Sequence, residues 1–175
     1  VGEDRKMVII FPYTSGVDQL IEVKTPTTAT DFTSVWIEKN GGITHVIATD
    51  EQVIYYTNNV LTQHPVWFQS NYTVTGSEFV KLEASLSGSN IYGIGITESG
   101  EAWRLKKETT ATVELASSFS GTDYASITSN GIYYYLTTIA ATTLHRADNN
   151  ATVTLTNAGT LPFATHFISS NANKL

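Results

Sequence analysis

The sequence predicts an all-β fold built from about four repeated units of four short antiparallel strands. Val, Ile and Thr make up 54 of the 175 residues, and their branched side chains favour strands over helices. A pattern of short strand-like segments also recurs along the chain. Each copy begins at an aromatic residue, and these starts are Phe32, Phe79, Tyr124 and Phe163.

The clearest copy of the unit begins at Phe79. Its four strand-like segments cover residues 79–84, 92–97, 101–106 and 111–116, and a polar turn at 98–100 separates the second segment from the third. Short β-rich segments bounded by Gly, Ser and charged turn residues are typical of antiparallel strands. We therefore interpret this copy as one four-stranded sheet.

Two further copies flank this unit. The earlier one has predicted strands at 32–37, 45–49, 52–57 and 66–69, and the later one at 124–128, 132–137, 143–147 and 151–156. The aromatic starts are 47, 45 and 39 residues apart, a spacing typical of β-propeller blades. We therefore predict a small β-propeller of about four four-stranded antiparallel blades, with repeat units at approximately 32–78, 79–123 and 124–162.

The two ends supply incomplete units. Residues 7–11 and 19–23 form a predicted middle hairpin without a first strand, and residues 163–168 form a predicted first strand without a hairpin. Together, 7–31 and 163–168 would make a shared blade that closes the ring, buries Phe163 and removes open sheet edges. The chain is then one domain, 1–175. In the alternative, it is part of a larger propeller.

A family resemblance follows from the unit that begins at Phe79. Residues 79–105, with Ile-Thr-Glu-Ser-Gly-Glu-Ala-Trp at the centre, resemble an RCC1-like blade, in which a strand ends in a polar turn and resumes with an aromatic residue. The resemblance holds at the level of the β-propeller superfamily. It implies the propeller fold, and it implies no specific activity.

Composition limits the classes of partner. With 10 basic and 16 acidic residues the net charge is -6, and the small basic groups at 5–6 and 104–107 do not make a nucleic-acid surface. No apolar run approaches the roughly 20 residues of a membrane span. The chain has no Cys, which excludes thiolate chemistry. Its acidic, Cys-free, Thr-rich and Asn-rich composition leads us to expect an extracellular location, on a cell or virion surface.

No catalytic or metal-binding constellation is evident. The four histidines are too scattered for metal-ligand spacing, and no Gly-x-Ser-x-Gly nucleophile motif occurs. Gly93 and Gly95, inside a predicted strand, are interpreted as places where neighbouring blades approach closely. We therefore predict a protein that is not an enzyme and that has no cofactor and no metal. The acids in the predicted turns, interpreted as solvated residues, are Asp50, Glu51, Glu98 and Glu101.

Aromatic residues are the candidate binding residues. Trp67, Phe68 and Tyr72 lie in the longest spacer of the chain, residues 64–72. Such side chains anchor protein interfaces and stack on sugars, but Trp67 and Phe68 would equally suit an outer strand packed on the neighbouring blade. Both interpretations stay open here.

These observations favour a binding role. We expect a non-catalytic binding or assembly module that contacts a protein partner or a second copy of itself. The alternative is a carbohydrate-binding lectin, in which aromatic residues bind a glycan. Two Asn-x-Thr sequons, at Asn71 and Asn150, are acceptors for a glycan in a secreted protein.

Overall fold

A computed structural model describes residues 6–11, 19–24, 32–40, 43–58, 66–109, 113–119, 123–139, 141–150 and 154–164. Within these ranges the regular structure consists of antiparallel strands, as the excess of β-branched residues predicts. Among the described strands, the first two pair with each other alone and form an N-terminal hairpin, β1 (Lys6–Phe11) and β2 (Gln19–Lys24). This hairpin confirms the prediction for the start of the chain.

The next twelve strands form three four-stranded sheets, which we call the first, second and third blades. Strands of each blade pair in chain order. The first contains β3 (Phe32–Asn40), β4 (Ile43–Asp50), β5 (Val53–Thr57) and β6 (Phe68–Gln69). The second contains β7 (Phe79–Ser87), β8 (Asn90–Thr97), β9 (Ala102–Lys107) and β10 (Glu114–Phe119). The third contains β11 (Tyr124–Ser129), β12 (Tyr133–Thr138), β13 (Thr143–Asp148) and β14 (Leu155–Thr160).

The three aromatic starts are confirmed as the first residues of β3, β7 and β11. The last strands of the second and third blades begin at Glu114 and Leu155, and the first residues predicted for them, 111–112 and 151–153, lie outside the described residues. Each blade also carries a register shift at the same place, directly after its aromatic start. A β-bulge of this kind bends the strand and increases its twist. We call β3, β7 and β11 the inner strands.

Two apolar cores hold the blades together. One joins the first blade to the second, and the other joins the second blade to the third. Because each fully buried aliphatic or aromatic side chain contributes about 1.5–3 kcal/mol, these cores supply the main cohesion between sheets. The largest residues in them with no more than 1% exposure are Ile47, Ile54, Tyr56, Phe79, Ile91, Leu105, Ile94, Ile96, Tyr134 and Leu136.

The C-terminal prediction is not matched where the structure describes it. Among the described strands no pairing joins the N-terminal hairpin to a C-terminal strand, so no closed ring of sheets is present in this part of the chain. Phe163 lies in a bend after β14 and is 67% exposed, so its predicted burial between blades is wrong. Residues 165–168 of the predicted strand lie outside the described residues.

Among the described residues, no helix is long and apolar enough to cross a lipid bilayer.

Candidate functional site

The link from the first blade to the second is fixed by hydrogen bonds to both. The backbone N–H of Ser70 donates to the Ile54 carbonyl at 2.8 Å, and that of Asn71 donates to the Val113 carbonyl at 3.0 Å. The Asn71 side-chain oxygen accepts from the Leu115 N–H at 2.9 Å. Of the three predicted aromatic residues, Tyr72 lies in this link, Phe68 lies in β6 and Trp67 directly precedes β6. His64 and residue 65, at the start of the predicted spacer, lie outside the described residues.

Trp67 and Phe68 pack within the first blade. The Trp67 ring lies 5.9 Å from the Phe32 ring, centroid to centroid, and is half-buried. Phe68, in β6, stacks on Tyr56 at 6.5 Å and packs against the core between the first and second blades. Because these rings contact Phe32, Tyr56 and the core, their positions favour the interpretation that Trp67 and Phe68 pack inside the fold and do not bind a partner.

Tyr72 occupies a different environment. It is 48% exposed, and its ring stacks on Trp103 of β9 with centroids 5.3 Å apart and planes 21° from parallel. The Trp103 indole N–H donates to the Glu101 carboxylate at 3.3 Å. The structure thus brings together a tyrosine from the link, and a tryptophan and an acid from the second blade, in one surface site. We call Tyr72, Trp103 and Glu101 the seam site.

The seam site combines the groups that protein and sugar surfaces both recognise. Stacked aromatic rings present rigid contact area with little conformational entropy to lose, and a carboxylate accepts hydrogen bonds from donors on a ligand. Glu101 is exposed, so its carboxylate is accessible from solvent. These properties suit non-covalent binding.

Two polar side chains, His45 and Lys107, lie close to Tyr56, the residue on which Phe68 stacks. The Nδ1 atom of His45, in β4, is 3.0 Å from the Tyr56 hydroxyl, and the Lys107 ammonium lies 5.1 Å from the Tyr56 ring centroid. Burial, and to a lesser degree the charge of Lys107, lowers the pKa of His45. Burial likewise raises the pKa of Tyr56 and lowers that of Lys107. The burial of His45 and its contact with the Tyr56 hydroxyl are typical of a hydrogen-bonded structural histidine.

The turn acids have mixed environments. Glu98 and Glu101 are exposed, as solvated turn residues should be. Asp50 ends β4 and is only 5% exposed, so its predicted solvation is wrong. Glu51 has a positive φ of 45°, a left-handed conformation that the tight β4–β5 turn imposes. In the described ranges, no three His, Asp or Glu side chains come together as metal ligands.

Trp103 is the residue of the seam site that the sequence did not identify. It is 31 positions from Tyr72 and belongs to another blade, so spacing along the chain gives no indication of their contact. The strand pattern did contain one indication of its position. Trp103 and Leu105 are two residues apart in β9, so they lie on the same face of the sheet. Leu105 is in the core between the first and second blades, and Trp103 therefore also faces that seam.

Comparison with solved structures identifies the architecture. The chain is similar to BBS1N, from a crystal structure in complex with ARL6DN, with a TM-score of 0.56 and 10% identity over 82% of this chain and 47% of that one. It is also similar to the WD40 domain of SCAP from fission yeast, with a TM-score of 0.54 and 11% identity over 91% of this chain and 38% of that one. No protein-family model and no curated protein matches the sequence.

Both neighbours are propeller-type domains, and this chain spans less than half of the length of each. At such low identity the likeness concerns the fold alone. It agrees with the three stacked four-stranded blades and confirms the β-propeller prediction, while the RCC1-like detail and the count of four blades stay predictions. Within its described residues, the chain has the fold of consecutive β-propeller blades, three four-stranded antiparallel sheets in sequence order.

Proposed function

We propose that the chain is a non-catalytic protein-interaction module that binds its partner through the seam site. The observation that carries this proposal is the stacked pair of Tyr72 and Trp103, held at the surface between two blades with Tyr72 48% exposed. Aromatic residues dominate the binding energy of protein interfaces, and here the two rings need no rearrangement before binding.

The rigidity of the link supports this role. Besides the bonds to Ser70 and Asn71, the Val74 N–H donates to the Gln52 carbonyl at 2.9 Å, and the Ser70 hydroxyl donates to the Tyr72 carbonyl at 2.8 Å. A site held in this way loses little conformational entropy when it binds. BBS1N, a fold neighbour, was itself crystallised with a protein, ARL6DN, which is consistent with a protein partner here.

A second candidate function, glycan binding, uses the same residues. An exposed aromatic face beside the Glu101 carboxylate is an arrangement that also binds sugars, through stacking and hydroxyl hydrogen bonds. We give it second place, because the stack buries one face of Tyr72 and one face of Trp103 against each other.

The proposed setting is a cell or virion exterior. Its support is compositional, together with the exposure of both sequon residues, Asn71 and Asn150. Surface biotinylation of intact cells or particles that carry the chain tests this setting, and labelling only after lysis would contradict it.

The function is tested by comparing the wild type with Tyr72→Ala and with Ile132→Ser. Ile132 is 64% exposed in the turn between β11 and β12, in another blade, and serves as the control. We expect Tyr72→Ala to lose most of the protein association, measured by sedimentation for self-association and by quantitative affinity capture for other partners. Ile132→Ser should retain it.

Two outcomes would contradict the proposal. Equal association of all three proteins would show that the seam site is not the interface. Glycan-array binding that requires Tyr72, without any Tyr72-dependent protein association, would replace the protein partner with a carbohydrate.

A further inference from the structure

The three blades carry equivalent rows of side chains across their first three strands. Each row starts four residues after the aromatic start, and its members pair directly with one another, so they lie on the same face of the sheet. In the first and second blades this face is turned toward the next blade. The three rows are Trp36, Ile47 and Tyr56; Glu83, Ile94 and Arg104; and Thr128, Tyr135 and Arg146.

The middle position of the row differs in the third blade. Ile47 and Ile94 are 0% exposed, and they belong to the two cores on either side of the second blade. Tyr135 takes this position in the third blade, where it is half-buried on the face opposite the core residues Tyr134 and Leu136. This face therefore does not have the apolar middle that packs the other blades together. We call it the third-blade outer face.

An arginine is stacked on the third-blade outer face. The Cζ atom of Arg146 lies 4.5 Å from the ring centroid of Tyr133, and the Tyr133 ring contacts the Tyr135 ring at 6.4 Å. All three side chains are half-buried. A guanidinium that stacks on a ring keeps its N–H donors in its own plane, so these donors stay free to bind a ligand at its edge.

Arg146 has no counter-ion in the part of the chain that the structure describes. Asp148 lies on the same face, since it pairs with Tyr133, but it forms no ion pair with Arg146. The buried Nε atom of Arg146 also has no hydrogen-bond partner among the described residues. Acids are not scarce in this chain, which has 16 of them against 10 basic residues. The donors of Arg146 are thus left for a group from outside the chain.

A second unpaired donor lies on the same face. Thr137 follows Tyr135 by two residues and is 0% exposed, and its Oγ1 atom has no hydrogen-bond partner among the described residues. Thr49 holds the same register position in the first blade and is equally buried. Its hydroxyl donates to the Ser34 carbonyl at 3.2 Å and lies 2.9 Å from the Thr33 hydroxyl. Because an unpaired buried hydroxyl is unfavourable for folding, a role in binding accounts for Thr137.

We propose that the third-blade outer face binds a carboxylate, and that this carboxylate belongs to an Asp or Glu side chain of a partner protein. The planar donor groups of Arg146 match the two oxygens of a carboxylate, and the Thr137 hydroxyl can donate to the same group. Tyr133 and Tyr135 lie beside Arg146 and supply rigid contact area for the residues on either side of the acid.

Charge complementarity favours a carboxylate over a phosphate. Among the described residues of this face, Arg146 carries the single positive charge, which one carboxylate balances. Asp148 adds a negative charge there, so it would repel the second charge of a phosphate group. The site therefore suits a single acid whose neighbours in the partner are uncharged.

NMR of the arginine side chains tests the proposal directly. The chain has three arginines, Arg5, Arg104 and Arg146, so the Nε–H signal that disappears in Arg146→Lys is that of Arg146. The probe is a glycine peptide with one central Glu and both ends capped, and its control has Gln at this position. We expect the Glu peptide to shift the Arg146 signal saturably and to leave the Arg104 signal in place. The Gln peptide should shift neither.

Variants separate the contact from general charge. Arg146→Gln should weaken peptide affinity, measured by fluorescence anisotropy, by about tenfold or more, as for a lost charge-assisted hydrogen bond. Thr137→Val should weaken it by about threefold and leave the melting temperature unchanged, because the hydroxyl has no partner among the described residues. Lys39→Gln removes an equal charge from the exposed end of β3 and should leave the affinity within about twofold.

The seam site is tested separately. Tyr72 belongs to the link between the first and second blades, so Tyr72→Ala should bind the Glu peptide as the wild type does. Loss of peptide binding in Tyr72→Ala would assign the peptide to the seam site and overturn the present proposal.

Several further results would overturn it. No shift of the Arg146 signal, or an equal shift with the Gln peptide, would show that the face does not recognise a carboxylate. An equal shift with acetate or inorganic phosphate at the same concentration would replace the partner protein with a small anion. Equal weakening by Lys39→Gln and Arg146→Gln would reduce the effect to net charge. The titration uses the wild type, so with a triple-resonance assignment it remains decisive even if a variant does not fold.

Discussion

The ring of Phe79 lies directly against the backbone of Gly95 in the adjacent strand. A Cβ atom placed on Gly95 would be 2.7 Å from the Phe79 Cε1 atom and 2.8 Å from its Cδ1 atom, closer than real Cβ contacts come. Phe79 is fully buried, so its ring has no open space to move into. The interpretation that Gly95 permits the approach of a neighbouring blade is wrong, because the ring that it accommodates belongs to its own blade.

Gly95→Ala should therefore destabilise the protein by about 1–3 kcal/mol, the usual cost of inserting a methyl group into a packed core. Chemical denaturation monitored by tryptophan fluorescence measures the change in the free energy of unfolding.

The double variant Gly95→Ala/Phe79→Leu provides the control. Phe79→Leu removes the ring atoms that meet the new methyl group, so the added cost of Gly95→Ala should be smaller in that background, a coupling that a double-mutant cycle detects. Strict additivity of the two changes would show that the contact is not the cause.

The blades themselves were predictable from the sequence. The strands lie where runs of β-branched residues occur, and polar turn residues separate these runs. Both features can be recognised within a short stretch of sequence. The aromatic starts at Phe32, Phe79 and Tyr124 were found because the same packing problem recurs in each blade and requires a large side chain. The alternation of Tyr133, Tyr134 and Tyr135 was predictable too, and only Tyr134 is fully buried.

Contacts between blades could not be predicted in the same way. The pairing of Tyr72 with Trp103 depends on how two sheets pack, and neither residue indicates the other by its position in the chain. The bulges are also invisible in the sequence, because here they involve no glycine and shift the register by one residue only. The exposure of Phe163 differs from the prediction because a strand pattern does not specify which sheet receives the strand.

Tyr134→Phe tests a polar contact between the second and third blades. The Tyr134 hydroxyl lies 2.7 Å from the Ser85 hydroxyl and 2.5 Å from the Tyr92 carbonyl oxygen, in a fully buried position. Burial raises the pKa of Tyr134, so this hydroxyl stays protonated and can donate. Without it, buried polar atoms lose their partner, and we expect a loss of about 1–3 kcal/mol in thermal or chemical unfolding.

Tyr135→Phe is the matched control on the same strand. Tyr135 is half-buried on the opposite face, where its ring contacts Tyr133 at 6.4 Å. Removal of its hydroxyl should change stability by less than about 0.5 kcal/mol, as for a surface substitution. Equal losses in the two variants would show that the blade contact is not specific to Tyr134.

The burial of two histidines, His45 and His145, predicts how the free energy of unfolding depends on pH. Burial lowers the pKa of both His45 and His145 below the ordinary value of 6.5. Near pH 6.5 the unfolded chain therefore binds more protons than the folded chain. The contribution of these neutral histidines to the free energy of unfolding is fully present above pH 6.5, and it is lost as the pH decreases toward the lower pKa of the folded state. Burial raises the pKa of Glu83, which acts in the opposite direction nearer its ordinary value of 4.5. A scan from about pH 8 to 6 therefore reports mainly the histidines.

His45→Gln should flatten part of this dependence, because Gln retains a hydrogen-bonding group for Tyr56 but does not titrate. The double variant His45→Gln/His145→Gln should flatten it further. Denaturant midpoints measured across the range check the slope. A wild-type protein whose stability increases as the pH falls from 8 to 6 would contradict the assignment.

Variants of Trp67 and Tyr72 should separate stability from binding, although the two residues are only five positions apart in the predicted spacer. Trp67 is half-buried against Phe32, so Trp67→Ala should reduce the free energy of unfolding by about 2 kcal/mol, below the 3–5 kcal/mol of a fully buried aromatic residue. The folded fraction should still associate normally. Tyr72→Ala should cost about 1 kcal/mol at most, the value of one aromatic pair at a surface.

The measurement pairs denaturation with quantitative binding of the captured partner, or with sedimentation if the partner is a second copy. Because Tyr72 stacks on Trp103 at the surface, its truncation should weaken association by about 2 kcal/mol or more, as for an interface anchor. If Trp67→Ala abolished association and left the melting temperature unchanged, the roles of Trp67 in stability and of Tyr72 in binding would be reversed. The interface would then centre on Trp67, and the stacked pair would serve only to fix the link to the second blade.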